Sequence, residues 1–241
     1  MLDAEWARAR LLDVAPAGFE EVDRGDDIEL VVYTDDAGAA LVVDAFPAAS
    51  VTAVERGWEE RWREFHRPVR AGGLWIGPPW EAPPAGETAV VVDPGRAFGT
   101  GAHATTRACI ELLATQERGS VLDAGCGSGV VSIAAARLGF APVFAVDVDE
   151  TTMEATRGNA TRNGVSLEAR VLDVLNDALP PADLVVANIE LAAVEKLLGR
   201  CAAARAITSG YLAGEAPAVD GWTLMEELEL EGWAAHVLAS T

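Results

Sequence analysis

The chain has 241 residues, half of them hydrophobic, enough for one large domain or for a small domain joined to a medium one around a sizeable core. With 38 acidic against 18 basic residues, a net charge of −20 excludes duplex nucleic acid as an expected partner, since that affinity rests on neutralised phosphates; the charge suits a basic protein or serves solubility alone. Cys109, Cys126 and Cys201 have neither zinc-like spacing nor the even number of a disulfide framework, and no 18-residue apolar run or basic-then-apolar leader is present, so a soluble, cytoplasmic, metal-free protein is expected.

Residues 4–12 predict a helix with Trp6, Ala9 and Leu12 on one stripe. Phe19–Val22 and Ile28–Thr34 predict strands around the polar turn Arg24-Gly25-Asp26-Asp27, Ala37–Phe46 a short helix, and Val51–Glu55 a third strand. Together these make a small α+β domain over residues 1–56. A linker over 57–86 follows. Its first part, W-E-E-R-W-R-E-F-H-R-P, spaces Trp58, Trp62 and Phe65 as an amphipathic helix ending near Pro68. Its second part, Gly72–Gly86, is rich in Gly and Pro around Trp75 and Trp80 and predicts irregular chain. In the larger domain, 87–241, strands at Val121–Ala124, Val143–Asp147, Leu167–Leu172, Leu184–Asn188 and Ala206–Leu212 alternate with helices at Val130–Leu138, Glu150–Asn163 and Leu191–Ala204. Such alternation predicts a parallel sheet with helices on both faces. Trp222–Glu229 and Trp233–Ala239 close the chain as a hairpin around Leu230-Glu231-Gly232, adding an antiparallel strand.

Two glycine-rich loops carry the chemistry. Asp93–Gly101 reads D-P-G-R-A-F-G-T-G, and Asp123–Gly129 reads D-A-G-C-G-S-G between a strand and a helix. A dinucleotide fingerprint needs a glycine at position 130, where Val130 stands. S-adenosylmethionine fits the second loop better. It has no phosphate for a helix N-terminus to hold. Asp123 can take the ammonium of its aminoacyl end, and Gly125 and Gly127 let the backbone approach closely. Asp147 closes the next strand 22 residues past Gly125, within reach of ribose hydroxyls.

Phe98–Arg107 (F-G-T-G-A-H-A-T-T-R), D-A-G-C-G-S-G, Val146–Asp149 (V-D-V-D), Arg162–Val165 (R-N-G-V) and Val186–Ile189 (V-A-N-I) occur in this order. The set resembles the PrmA-type methyltransferases of the eleventh protein of the large ribosomal subunit, and F-G-T-G-x-H-x-T-T is its most specific string. The resemblance implies a Rossmann-like class I methyltransferase sheet, mostly parallel with one antiparallel strand, behind a small substrate-recognition domain. It also implies S-adenosylmethionine as cofactor and lysine or N-terminal amines of that basic ribosomal protein as acceptors. By motif, Thr106, Gly125, Asp147 and Asn188 are its cofactor contacts, with Phe98 and Gly99 lining the same site. Thr106 either caps a helix or meets the methionine carboxylate. Phe98 covers the cofactor or plugs the domain joint. Asn188 ends the fourth parallel strand, where an amide can donate and accept near the sulfonium. It is the nearest candidate for a catalytic group, and no general base stands out. His103 reads as a polar group at a helix start, and Asp173 as a group facing the adenine amine.

Asn188-Ile189-Glu190-Leu191 lacks the two prolines by which enzymes of planar nitrogens resemble one another, so an aliphatic amine fits better. Three departures from the family stand out. The chain begins close to the first helix, where the family carries a strand, so the expectation is either a missing edge strand or a start placed too late. Glu190 puts a carboxylate by the acceptor channel. The stretch 213–221 is too short for a full helix. These keep two further readings in view: a related methyltransferase, monomeric like the first, with another protein or a small amine as acceptor, and a relative that binds the cofactor without transfer.

Overall fold

The computed structural model describes residues 7, 10, 11, 14, 20–23, 28–32, 34, 36–52, 67–93 and 101–241. The chain divides into two compact units, Met1–Glu59 and Glu60–Thr241. In the first, β1 (Glu20–Asp23) and β2 (Ile28–Val31) pair antiparallel, with Glu20 opposite Val31. α1 (Asp36–Ala45) follows and stops where Pro47 restricts the residue before it. Ala7, Arg10, Leu11 and Val14 are helical; the rest of the expected first helix lies outside the described residues. So do residues 53–66, which include the expected connector helix with Trp58, Trp62 and Phe65. Of the expected third strand, Val51 and Thr52 are described and are not in a strand.

In the second unit, β3 (Val69–Ala71), β4 (Leu74–Gly77) and β5 (Ala89–Val91) form a three-stranded sheet, with β4 antiparallel to β3 and parallel to β5. This corrects the expectation of an irregular Gly72–Gly86. Gly72-Gly73 is a two-residue hairpin turn, and Leu74, Trp75 and Ile76 are buried. The density of glycine and proline pointed to a linker, but the short apolar run between them is a core strand. Only Pro78–Thr88 is irregular.

The main sheet has seven strands in the order β11-β12-β10-β9-β6-β7-β8. They are β6 (Val121–Ala124), β7 (Val143–Asp147), β8 (Glu168–Val171), β9 (Leu184–Asn188), β10 (Arg205–Leu212), β11 (Trp222–Leu230) and β12 (Trp233–Ser240). All pairs are parallel except those made by β12, which runs antiparallel to both β10 and β11. The antiparallel strand is therefore inserted between two others rather than sitting on the edge. The strands are separated by α2 (Ala104–Thr115), α3 (Val130–Arg137), α4 (Glu150–Asn163) and α5 (Leu191–Leu198). α5 is shorter than the expected 191–204, since the chain leaves the helix at Gly199.

Side chains alternate across a strand, and neighbours here join different cores. Val186 and Ile207 pack with Ile110, Leu113 and Ile133 of α2 and α3 and with Leu74 and Ile76 of the small sheet. Val185 and Ala206 pack with Val194 and Leu197 of α5. Both faces of the central strands are thus buried, which is why β7 and β9 read as apolar runs up to their last residue and why Asp123 of β6 is buried as well. Residues 213–221 form no helix, as expected. Val219 and Trp222 lie against the α5-side core, Trp222 Nε1 donates to Leu198 O at 3.0 Å, and Leu224 and Met225 of β11 stay exposed. Among the described residues no helix is long and apolar enough to cross a membrane.

Candidate functional site

The sheet order reverses direction at β6, with β7 on one side and β9 on the other, and ligands of such sheets bind beyond the carboxyl ends of those strands. Ala124 pairs with Val146 of β7 and with Ala187 of β9. The next residue on each strand is Gly125, Asp147 and Asn188, so three residues far apart in sequence stand side by side on one edge.

The glycine loop is stitched to that edge through its backbone. Gly125 N and Cys126 N donate to Val146 O at 2.9 and 3.0 Å, and Gly127 N donates to Asp147 Oδ2 at 3.1 Å. Asp149 N reaches Asp147 Oδ1 at 3.1 Å. A carboxylate offers about four lone-pair positions, so Asp147 keeps capacity for two hydroxyls. Gly125 has φ +75°, and a Cβ there would come within 2.6 Å of Ile189 Cγ2, so only glycine lets the loop lie this close to the end of β9.

Asp123 lies beneath the loop. It is 2 % exposed, and Ser132 Oγ of α3 donates to its Oδ2 at 2.5 Å. Burial pushes its carboxyl up from 3.8 to about 6, against the Ser132 bonds that pull it down, with nearby Asp147 adding to the rise. Burial, and then the charge of Asp123, also drives the Cys126 thiol well above its ordinary value, which leaves it inert.

On the other side of the site, α2 begins at Ala104. His103 caps it: its Nδ1 accepts from Thr105 N at 3.4 Å and sits 2.8 Å from Thr105 Oγ1. The cap position is thus filled by His103, as a polar group at a helix start, and the Thr106 hydroxyl is free of it. Thr106 is 2 % exposed, and its Oγ1 accepts from Asn188 Nδ2 at 3.4 Å. Two of the sequence-selected residues thus meet across 82 positions of chain. Phe98 and Gly99 lie outside the described residues. Asp173 closes a local turn: its Oδ1 accepts from Leu175 N at 2.8 Å and its Oδ2 from Asn176 Nδ2 at 2.7 Å. These bonds, that of Asn176 first, hold its carboxyl below the usual range. Glu190 is exposed at the start of α5 and makes no side-chain capping bond.

Residue-by-residue reading missed a polar stripe on α4. Asn159 is buried, donates to Ser128 O at 3.0 Å in the second loop and accepts from Asp93 N at 3.0 Å at the head of the first. Thr156 Oγ1 donates to Gly127 O at 2.7 Å, and Asn163 bonds both N and O of Val91. Arg162, of the R-N-G-V string, reaches Asn159 Oδ1 at 2.9 Å and Asp93 Oδ2 at 3.3 Å. One helix face therefore ties the second glycine loop to Val91 and Asp93 at the end of β5. The available signal was Thr156, Asn159 and Asn163 at i, i+3 and i+7, a polar stripe where an apolar one is usual.

Comparison with known proteins agrees with this geometry. The family model described as ribosomal protein L11 methyltransferase (PrmA) matches residues 26–240. The protein of that name from Symbiobacterium thermophilum is 39 % identical over 207 residues, spanning 78 % of this chain and 67 % of that protein. The one from Legionella pneumophila strain Philadelphia 1 is 38 % identical over 201 residues, 77 % of this chain and 69 % of that protein. The crystal structure of ribosomal protein L11 methylase from Lactobacillus delbrueckii subsp. bulgaricus superposes with a TM-score of 0.63 at 27 % identity, covering 73 % of this chain and 99 % of that one.

Proposed function

The chain belongs to the ribosomal protein L11 methyltransferase (PrmA) family, and from that premise we propose that it transfers methyl groups from S-adenosylmethionine to lysine side-chain and N-terminal amines of ribosomal protein L11. The observation that carries the proposal is the convergence of Gly125, Asp147, Thr106 and Asn188 on one sheet edge. S-adenosylmethionine supplies a methyl group on a positive sulfur, a leaving group that needs no protonation. The chain's own residues have to bind, orient and desolvate.

Asp147 accepts the ribose hydroxyls while its bonds to the loop backbone hold its orientation. Gly125–Gly127 present backbone to the methionine and sugar part. Asp123 favours the ammonium of the aminoacyl end by its charge from beneath the loop. Thr106 and Asn188 frame the methyl-bearing end, where holding the acceptor in line is worth more than any single bond. The family motif assigns Phe98 and Gly99 to the same cofactor site. An acceptor lysine, with an ordinary pKa near 10.4, must arrive neutral; desolvation in the closed pocket lowers that value, so proton loss needs no dedicated base. The net charge of −20 speeds encounter with a basic protein, and the enzyme works as a monomer in the cytoplasm.

Incubating the protein with labelled S-adenosylmethionine and purified L11 is expected to label lysine and N-terminal amines; an unlabelled substrate would sink the proposal. Asp147→Ala is expected to weaken cofactor binding by about 1–3 kcal/mol, roughly 5- to 150-fold, through lost ribose hydrogen bonds. Isothermal calorimetry reads this directly, and unchanged affinity would count against the role given to Asp147.

A further inference from the structure

β12 runs antiparallel to β10 and so begins where the parallel strands end, which puts the β11–β12 turn on the same edge as Gly125, Asp147 and Asn188. Leu230 pairs with Trp233, leaving Glu231 and Gly232 as the two central residues of the turn, at φ +51° and +82°. Two-residue hairpin turns with positive φ at both positions favour Asn or Asp before Gly. Glu231 is the one non-glycine residue with positive φ among the described residues. Strain of this kind persists where surrounding contacts over-determine it.

What glutamate has over asparagine at this position is reach. Its Oε1 lies 2.7 Å from a terminal nitrogen of Arg107, in the first turn of α2. Arg107 Nε in turn donates to Ala102 O at 3.1 Å, just ahead of that helix. Two residues past Glu231, the Trp233 ring meets the His103 ring in a T-shaped contact at 5.0 Å between centroids. The hairpin therefore grips the start of α2 at two points. Thr106 is the residue before Arg107, and its 3.4 Å contact with Asn188 stands at the limit of a hydrogen bond, so a shift of a few tenths of an ångström breaks it.

We infer that the Arg107–Glu231 pair is a clasp that positions the first turn of α2, and with it Thr106, against Asn188 in the cofactor pocket. Both are positioning residues. The inference rests on the methyltransferase reading for its purpose, while the clasp itself is testable without any ligand.

Three variants form a cycle: Arg107→Ala, Glu231→Asn and the double. Glu231→Asn retains a residue suited to the turn and removes its reach. Amide exchange over residues 105–110 is expected to speed up about tenfold in each single variant and no further in the double. Calorimetric affinity for S-adenosylmethionine is expected to fall about fivefold in the same non-additive pattern, while the Tm of Glu231→Asn equals or exceeds that of the wild type. Unchanged exchange, or losses that add in the double, would overturn the clasp. Faster exchange with unchanged cofactor affinity would overturn its positioning role. A wild type that binds no S-adenosylmethionine would refute the cofactor reading of the site and leave the exchange result to judge the clasp.

Discussion

Replacing Gly210 by alanine is expected to cost about 3–4 kcal/mol of stability, combining strained backbone with overpacking. Gly210 has φ +106° and occupies the bulge between Ser209 and Tyr211 in the pairing of β10 with β12. A Cβ there would lie 2.3 Å from Ile189 O and 2.9 Å from Ile189 N. These are backbone atoms of a strand end already tied to β10, since Ile189 N donates to Ser209 O at 3.1 Å. They cannot swing aside as a flexible side chain would. Relief has to come from moving Ile189, whose side chain abuts Gly125, so the substitution should also disturb the glycine loop. Urea denaturation measures the first effect and calorimetry with S-adenosylmethionine the second. A stability loss under about 1 kcal/mol would show that the bulge gives way and that the close approach is not a constraint.

The second large effect is on pH dependence. The folded-state carboxyl of Asp123 titrates at about 6 against an ordinary 3.8, because it is buried. The folded state therefore holds this proton more tightly than the unfolded chain. The stability it contributes is fully present below about pH 4 and is lost as pH rises through about 6. A rise of this size corresponds to about 3 kcal/mol. In Asp123→Asn no proton is exchanged, and the Ser132 hydroxyl still has an oxygen to donate to. The stability of the variant minus that of the wild type is thus expected to climb by about 2.5 kcal/mol between pH 4 and pH 7. Any fixed cost of the new amide shifts the whole curve without tilting it. Taking the difference also removes the self-repulsion of a chain with net charge −20, which both proteins share. Parallel stability curves over that range would refute the assignment.

The second glycine loop was legible because its requirements are local. Gly125, Gly127 and Asp123 stand within five residues, and the strand before them and the helix after them show in the hydrophobic pattern. Asp147 and Asn188 were legible for a related reason: each ends an apolar run, and the carboxyl ends of parallel strands are where such sheets bind ligands. The expected irregular segment failed at Leu74–Gly77 because a four-residue core strand between glycines and prolines is too short for its periodicity to outweigh its surroundings. His103 illustrates a different limit. Its place at a helix start could be read from the chain, but its ring contact with Trp233 joins residues 130 positions apart.

Taken alone, the sequence determined the element order from Val121 onward, the alternation that makes the sheet parallel, the final hairpin and the identity of the edge residues. Those features follow from backbone sterics and from apolar spacing over a few residues. Only the tertiary structure decided that the last strand inserts between β10 and β11, that Thr106 meets Asn188, and that Asn159 ties Ser128 of the glycine loop to Asp93. It also decided that Asp123 is sealed under its loop with a raised carboxyl, and that Glu231 reaches Arg107. Hydrogen bonds, ion pairs and desolvation act over a few ångströms of space regardless of sequence separation, so they come into being only when packing brings distant residues together.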